Sequence, residues 1–308
     1  MAQKVSFMFP GQGSQYVGMT SDILEVSGFA RKTFKKASEI LGEDLREICI
    51  NGPEEKLKQT KYTQPALFTH SFIVTTLLKE RGLEPDGVAG HSLGEYSALA
   101  AAGAFDFEEG FTLVKIRGEL MQKSGEVHPG TMAAIIGMTA EQVEEVCKEA
   151  ESTGIVQPAN FNCPGQIVIS GDVNAVRKAI QIAKDKGARL ARELVVSGAF
   201  HSPLMKEAIE GLSKAIDEAN INDISVPLYA NVTGKPVTKA SEIKELLKQQ
   251  LLSPVRWEDS MRNMINDGYN FFLEVGPGNV LQGLLKRIDR NMDFFGVDRL
   301  SDLEQLEI

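Results

Sequence analysis

One five-residue turn limits this chain more than any other feature. Gly90-His91-Ser92-Leu93-Gly94 stands between a short apolar run at 87–90 and an alanine-rich segment at 95–102. The run reads as a strand, and the segment as a helix stopped by Gly103. A serine between glycines on a sharp strand-to-helix turn is the nucleophile-elbow pattern G-x-S-x-G. The glycines leave room for a tight backbone, so the hydroxyl is carried at the top of a sheet. The helix that follows points backbone N–H groups and its positive end at the same place. Five matching residues alone would be weak, and a glycine-rich turn with an idle serine is the alternative. The flanking strand and helix favour the nucleophile, and with it an α/β chain.

The remaining periodicity fits two units. An apolar run at 5–9 reads as a buried strand running into the turn-rich Pro10-Gly11-Gln12-Gly13-Ser14-Gln15. Helices are expected at 29–41, 65–78 and 108–123. From 131 the pattern changes to strand 131–138, helix from Thr139, strands 155–161 and 166–170, helix 172–186 and strand 189–195. Thr139 followed by Gln142 is a capping-box signal, and Asp172 is expected to cap the second helix. The order β-α-β-β-α-β is that of a ferredoxin-like unit. It is bounded by Gly130 and by Ser197-Gly198, so it reads as a small domain at 130–196 inserted into a large one at 1–129 and 197–308. Beyond it come a helix at 203–220, a strand at 226–231, a helix at 241–252, a strand at 271–275 and a helix to Ile288. Residues from about 300 are polar and are expected to fray.

Bulk chemistry narrows the function. The 308 residues carry a formal net charge of −9, from 33 Lys and Arg against 42 Asp and Glu. Nucleic acid is therefore not expected as a main partner, since phosphate neutralisation needs a basic footprint. Three scattered cysteines, Cys49, Cys147 and Cys163, suggest neither a disulfide framework nor a zinc site and fit reduced thiols in a cytoplasmic protein. No segment approaches the length of a membrane span, and no signal-peptide core is seen at the start.

A serine needs a base. Of the four histidines, His91 neighbours Ser92 on a tight turn and should point away. His70 lies in an apolar helix and reads as a core residue, and His128 as a solvated loop residue. His201 follows Ser197-Gly198-Ala199-Phe200, a glycine-marked loop between strand and helix, and leads the four without displacing the others. An acyl transfer also needs donors for a developing oxyanion. The N–H of Leu93 is one candidate, and the Gly11-Gln12-Gly13 turn is a source for a second. Arg117 is the most informative charge. With about 100° per residue, Leu113, Val114, Ile116, Leu120 and Met121 form one apolar arc, and Arg117 falls inside it. An arginine there must pair or snorkel. Two readings stand level: an internal salt bridge, or a fork for a substrate carboxylate.

These segments together resemble the malonyl-CoA:acyl carrier protein transacylase family and the acyltransferase domains of fatty acid and polyketide synthases. The likeness runs in order along essentially the whole chain: FPGQGSQ at 9–15, TQPAL at 63–67, GHSLGEYSA at 90–98, the arginine helix at 111–121, NFNCPGQIVISG at 160–171, SGAFHSPLM at 197–205, SPVRW at 253–257 and EVGPGNVL at 274–281. The resemblance implies an α/β-hydrolase-like large domain with a parallel sheet. It implies Ser92 as acylated nucleophile, His201 as its base, and Gln12 and Leu93 as oxyanion donors. Arg117 would hold a malonyl carboxylate, and the backbone carbonyl of Gln250 would orient the histidine. Phe200, in Ala199-Phe200-His201, resembles the version associated with malonyl rather than methylmalonyl use. Malonyl-CoA and an acidic acyl carrier protein are the implied partners, with no metal or cofactor. A chain of net charge −9 would then need a local basic patch for docking, with Lys286 and Arg287 as candidates against the reading of an ordinary solvated helix face. A serine esterase or thioesterase, a malonyl transferase serving a polyketide pathway, and a non-catalytic docking module are the competing readings.

Overall fold

A computed structural model describes residues 3–306. Its ten strands are β1 (Val5–Phe9), β2 (Gly87–Gly90), β3 (Gly130–Ile136), β4 (Val156–Cys163), β5 (Gln166–Asp172), β6 (Leu190–Glu193), β7 (Leu228–Tyr229), β8 (Pro236–Val237), β9 (Phe271–Val275) and β10 (Asp293–Val297). They form two separate sheets. The larger has the order β10-β9-β1-β2-β7-β8. Its first five strands are mutually parallel, and the two-residue β8 closes one edge antiparallel to β7. A parallel strand covered on both faces is apolar throughout, and every residue of β1 is buried. The chain is thus of mixed α/β class with a largely parallel sheet.

The order of the large sheet places the site. β2 lies on one side of β1 and β9 on the other, so neighbouring connections leave in opposite directions at the carboxyl ends of these strands, where open α/β sheets take ligands. The loop carrying Gln12 leaves β1, and the turn carrying Ser92 leaves β2. Phe9 is in register with Gly90, so both emerge at one level.

The smaller sheet, order β4-β5-β3-β6, is antiparallel throughout. Its alternating side chains serve two different neighbours. Ala133, Ile135, Ile167, Ile169 and Ala191 join Val143, Val146, Val176 and Ala179 of the helices Ala140–Ala150 and Val173–Asp185 in a core of their own. On the opposite face Met132 and Val168 belong to the large core and look into the main cavity. The edge strand β4 is continued by Val255, whose N–H donates to Ala159 O at 2.8 Å and whose carbonyl accepts from Phe161 N at 2.9 Å.

The structure departs from the sequence expectations in particular places. The capping box forms, with Thr139 and Gln142 each bonding the other's backbone. Asp172 does not cap its helix: its carboxylate accepts from Ile155 N at 2.6 Å and ties two strands instead. The segment after 300 does not fray as a whole but forms the helix Leu300–Gln305, anchored by the buried Leu303. The strand expected at 226–231 shrinks to Leu228–Tyr229, and β10 was not anticipated. No described helix is long and apolar enough to cross a membrane.

Candidate active site

The backbone of the elbow is strained and has no slack. Ser92 takes φ 51°, in the left-handed region that non-glycine residues avoid. A Cβ on Gly90 would stand 1.9 Å from Gly94 O, and one on Gly94 2.1 Å from Phe9 O. Only glycine lets the helix Gly94–Ala101 return so close over β1 and β2. Side chains from elsewhere brace the turn. Asn231 Oδ1 accepts from Ser92 N at 2.8 Å, and Asn231 Nδ2 donates to Gly90 O at 2.6 Å.

His201 is the second non-glycine residue in the site with positive φ, at 57°. It is 2% exposed, and its Nε2 lies 2.8 Å from Ser92 Oγ. Its Nδ1 faces two acceptors, Gln250 O at 2.9 Å and Ser253 O at 3.2 Å. Carbonyls accept only, so the proton sits on Nδ1 and the Nε2 lone pair faces the serine. Burial, followed by the Arg117 charge, pushes the imidazole down to about 3. It is therefore neutral at physiological pH and ready to accept a proton. The other histidines make no hydrogen bond to Ser92 Oγ, although His91 lines the same cavity. His91 Nε2 pairs with Asn162 Oδ1 at 2.9 Å, His70 is buried with Nδ1 on Thr20 Oγ1 at 2.6 Å, and His128 pairs with Glu207 at 2.8 Å near the surface.

Arg117 comes from the buried stripe of the helix Phe107–Val127 and is 0% exposed. Its partners are two amides and the serine. Nη1 donates to Gln64 Oε1 at 2.8 Å, and Nη2 donates to Gln250 Oε1 at 2.9 Å and to Ser92 Oγ at 3.1 Å. Among the described residues no carboxylate forms a salt bridge with it, and its Nε has no hydrogen-bond partner. A whole guanidinium is thus buried on neutral acceptors beside a serine hydroxyl.

Gln12, Leu93, Gln64, Met121, Met132, Val168 and Phe200 join Ser92, His201 and Arg117 around one cavity of about 340 Å³. Among the described residues the backbone N–H groups of Gln12 and Leu93 have no hydrogen-bond partner. Lys286 and Arg287 are exposed on the last turn of the helix Val280–Ile288, whose Val280, Leu281 and Leu284 also line the cavity. Arg287 Nη1 donates to Gln166 Oε1, at the cavity's edge.

Several residues of this constellation were not singled out in the sequence. Gln64 and Asn231 belong here, and so does Glu95, 1% exposed in the first turn of the elbow helix. Its Oε1 accepts from Asn231 N at 2.8 Å, and its Oε2 accepts from Gln250 Nε2. Burial pushes its carboxyl up to about 7, against the pull of the Asn231 N–H, the Gln250 amide and the Arg117 charge. Its only sequence signal is a charge inside an otherwise alanine-rich helix. Asn162 pairs with the His91 ring, and both residues line the cavity beside Ser92. Ser253, whose carbonyl shares Nδ1 of His201, stands in the SPVRW segment but carried no role of its own there.

A serine, a neutral imidazole, free backbone donors and a buried cation around one cavity define an acyl-transfer class of site. The acyl transferase domain model matches residues 6–295. The malonyl CoA-acyl carrier protein transacylase of Bacillus subtilis is 45% identical over 306 residues, covering 99% of this chain and 96% of that protein. That of Haemophilus influenzae is 42% identical over 99% of this chain and 98% of its own. A solved acyl carrier protein S-malonyltransferase from Vibrio cholerae superposes with a TM-score of 0.95 at 42% identity, covering 99% of this chain and all of that one. A solved type II PKS acyl-carrier protein in complex with its malonyl-transacylase matches with a TM-score of 0.95 at 40% identity, covering 98% of each transacylase chain. The chain belongs to the acyl transferases, and among them to the malonyl-CoA:acyl carrier protein transacylase family.

Proposed function

We propose that this chain transfers malonyl from malonyl-CoA to the phosphopantetheine thiol of acyl carrier protein through an ester on Ser92, supplying malonyl units for fatty acid synthesis in the cytoplasm. The observation that carries the reading is Arg117: a fully buried guanidinium, without a carboxylate partner, 3.1 Å from the Ser92 hydroxyl. A neutral acyl group has no use for it. A carboxylate two carbons beyond the acyl carbon would meet it through charge-assisted, bidentate contacts.

Ser92 Oγ attacks the thioester carbonyl as His201 Nε2 takes its proton. The oxyanion collects between the N–H groups of Gln12 and Leu93, which leave the ends of adjacent strands and have no other partner. The C–S bond breaks, and the proton on His201 passes to the CoA thiolate. In the second half the carrier's thiol gives its proton to His201 and attacks the ester carbonyl, and the proton returns to Ser92 as its C–O bond breaks. The Gln250 carbonyl keeps Nδ1 protonated throughout. Thioester replaces thioester, so the cycle needs no energy source. Phe200, 6% exposed on the cavity wall, would exclude a branched acyl chain. Lys286 and Arg287 would meet the acidic carrier beside the entrance.

In this reading residues 1–129 and 197–308 form an α/β-hydrolase-like domain, and 130–196 a ferredoxin-like insert. The separate sheets and the order β4-β5-β3-β6 with two helices on one face support that division. A serine esterase or thioesterase would share the serine, the histidine and the oxyanion donors. Incubating the protein with malonyl-CoA, with and without holo acyl carrier protein, separates the two. Transfer should give malonyl-carrier with little free malonate. Free malonate released at the same rate whether or not carrier is present would mean a hydrolase.

A further inference from the structure

Glu95 is an ionisable group at the centre of the site that the acyl-transfer cycle does not use. It neither lines the cavity nor hydrogen-bonds Ser92 Oγ. One of its carboxylate oxygens accepts from Asn231 N, and the other from the Gln250 amide. The Gln250 amide nitrogen faces three acceptors: Ser92 O at 3.0 Å, Glu95 Oε2, and Asn231 Oδ1 at 3.4 Å. A nitrogen surrounded by acceptors fixes the amide's orientation, and its oxygen must then face the other way, toward Arg117 Nη2 at 2.9 Å. Ser92 O already receives Glu95 N of the elbow helix at 3.1 Å, and Asn231 Oδ1 already receives Ser92 N. The carboxylate is therefore the one acceptor in the set that bears a full charge.

We propose that Glu95 is a positioning residue for acyl selectivity: by accepting from the Gln250 amide it keeps an oxygen, not a nitrogen, turned to Arg117, and so holds the guanidinium where a substrate carboxylate is read. This rests on Arg117 being the carboxylate holder. The chemistry of an isosteric substitution shows why the charge state matters. In Glu95→Gln one oxygen becomes an NH2 group. The Asn231 N–H is part of the backbone and cannot turn, so it keeps the remaining oxygen. The new NH2 then meets the Gln250 amide nitrogen, donor to donor. Gln250 is relieved by flipping, which sets its own NH2 against the Arg117 guanidinium. The flip also turns the Gln250 oxygen toward Ser92 O and Asn231 Oδ1, so a small loss shared by both acyl groups accompanies the larger one delivered to Arg117.

Simple charge counting gives the opposite sign. Removing an anion near an anion-binding cation should strengthen malonyl binding. The two ideas are separated by the direction of the effect.

The test is single-turnover self-acylation, followed by intact-protein mass at pH 8, where a carboxyl pushed up to about 7 is ionised. Wild type, Glu95→Gln and Arg117→Ala are each loaded from malonyl-CoA and from acetyl-CoA. Glu95→Gln should load malonyl about 10- to 100-fold more slowly, the scale of one hydrogen bond to a charged group, and acetyl within about threefold of wild type. In a Gln250→Met background, where there is no amide to orient, the same change should cost malonyl loading less than about threefold further. Equal losses for both acyl groups, unchanged or faster malonyl loading, an independent loss in the Gln250→Met background, or a protein too unstable to assay would each overturn the proposal. Arg117→Ala reports on the underlying reading separately: if it fails to slow malonyl loading selectively, the fault lies with Arg117 and not with Glu95.

Discussion

The two faces of the small sheet, β4-β5-β3-β6, meet opposite surroundings. One buries Ala133, Ile135, Ile167 and Ile169 under two helices, with its first helix capped at both backbone ends of the Thr139–Gln142 box. Apolar groups there meet apolar groups. The other face looks across the cavity at the elbow, where Ser92 and His201 sit at φ 51° and 57° and a guanidinium is buried without a counter-charge in contact. Strain and buried charge are costly, and both are concentrated within hydrogen-bond reach of one hydroxyl. The contrast teaches where the molecule's stability comes from and where it is given up: the packed face holds the roof, and the strained elbow opposite the other face holds the chemistry. Substitutions should therefore separate cleanly into those that stop transfer without unfolding and those that loosen the fold without touching transfer.

The largest break is expected from His201→Ala. One imidazole moves the proton in both directions, so both half-reactions should slow by about 10²–10⁴-fold, the usual contribution of a general base. Normal loading in single-turnover kinetics would remove His201 from that role. Arg117→Ala comes next and sharpens the comparison by substrate. Removing one member of a desolvated charge pair costs about 2–5 kcal/mol, so kcat/KM for malonyl-CoA should fall roughly 30- to several-thousand-fold. Acetyl-CoA transfer should fall little or rise, and equal losses would contradict the assignment.

A smaller effect is expected from acid. An ordinary histidine is half-protonated near pH 6.5 and would cost about tenfold in base per pH unit below that. His201, held down to about 3 by burial and by Arg117, stays neutral well below it. Acetyl loading, kcat/KM against pH, should therefore remain nearly level from pH 8 to 5, and an acid limb centred near 6.5 would contradict the burial argument. The smallest change belongs to the other face. Thr139→Ala removes one side of the capping box and should cost about 0.5–2 kcal/mol, read as a lower melting temperature. Malonyl loading by the folded protein should not change. A matching loss of activity would mean that the two faces are not independent.

What could be read from the sequence follows the same division. The packed face is governed by local patterns: short apolar runs in β3 and β5, amphipathic helices at 140–150 and 173–185, a capping box within four residues. Each is visible in a short window. The Ser92 turn was equally legible, because its pattern is five contiguous residues, although one of its glycines, Gly94, is demanded by the distant Phe9 O. Arg117 stood out as a charge on an apolar stripe, although the stripe left a salt bridge and a substrate fork level. Gln64, Glu95 and Asn231 were not legible. They stand 53, 155 and 139 residues from the partners they serve, and nothing local distinguishes a bracing amide from a solvated one. Asp172 misled for the complementary reason. Its position suits a helix cap, but the N–H of Ile155, just before β4, occupies its carboxylate instead.

The central claim is that a malonyl group rests on Ser92 between its two carriers. Peptide mapping after rapid acid quench tests it most directly. Wild-type protein mixed with malonyl-CoA should carry one malonyl group, on the peptide containing Ser92, before any carrier is added. That adduct should disappear as malonyl-carrier forms when holo acyl carrier protein follows, and Ser92→Ala, with an unchanged melting curve, should carry none. A malonyl adduct on another residue, or transfer to the carrier by the Ser92→Ala protein, would contradict the account.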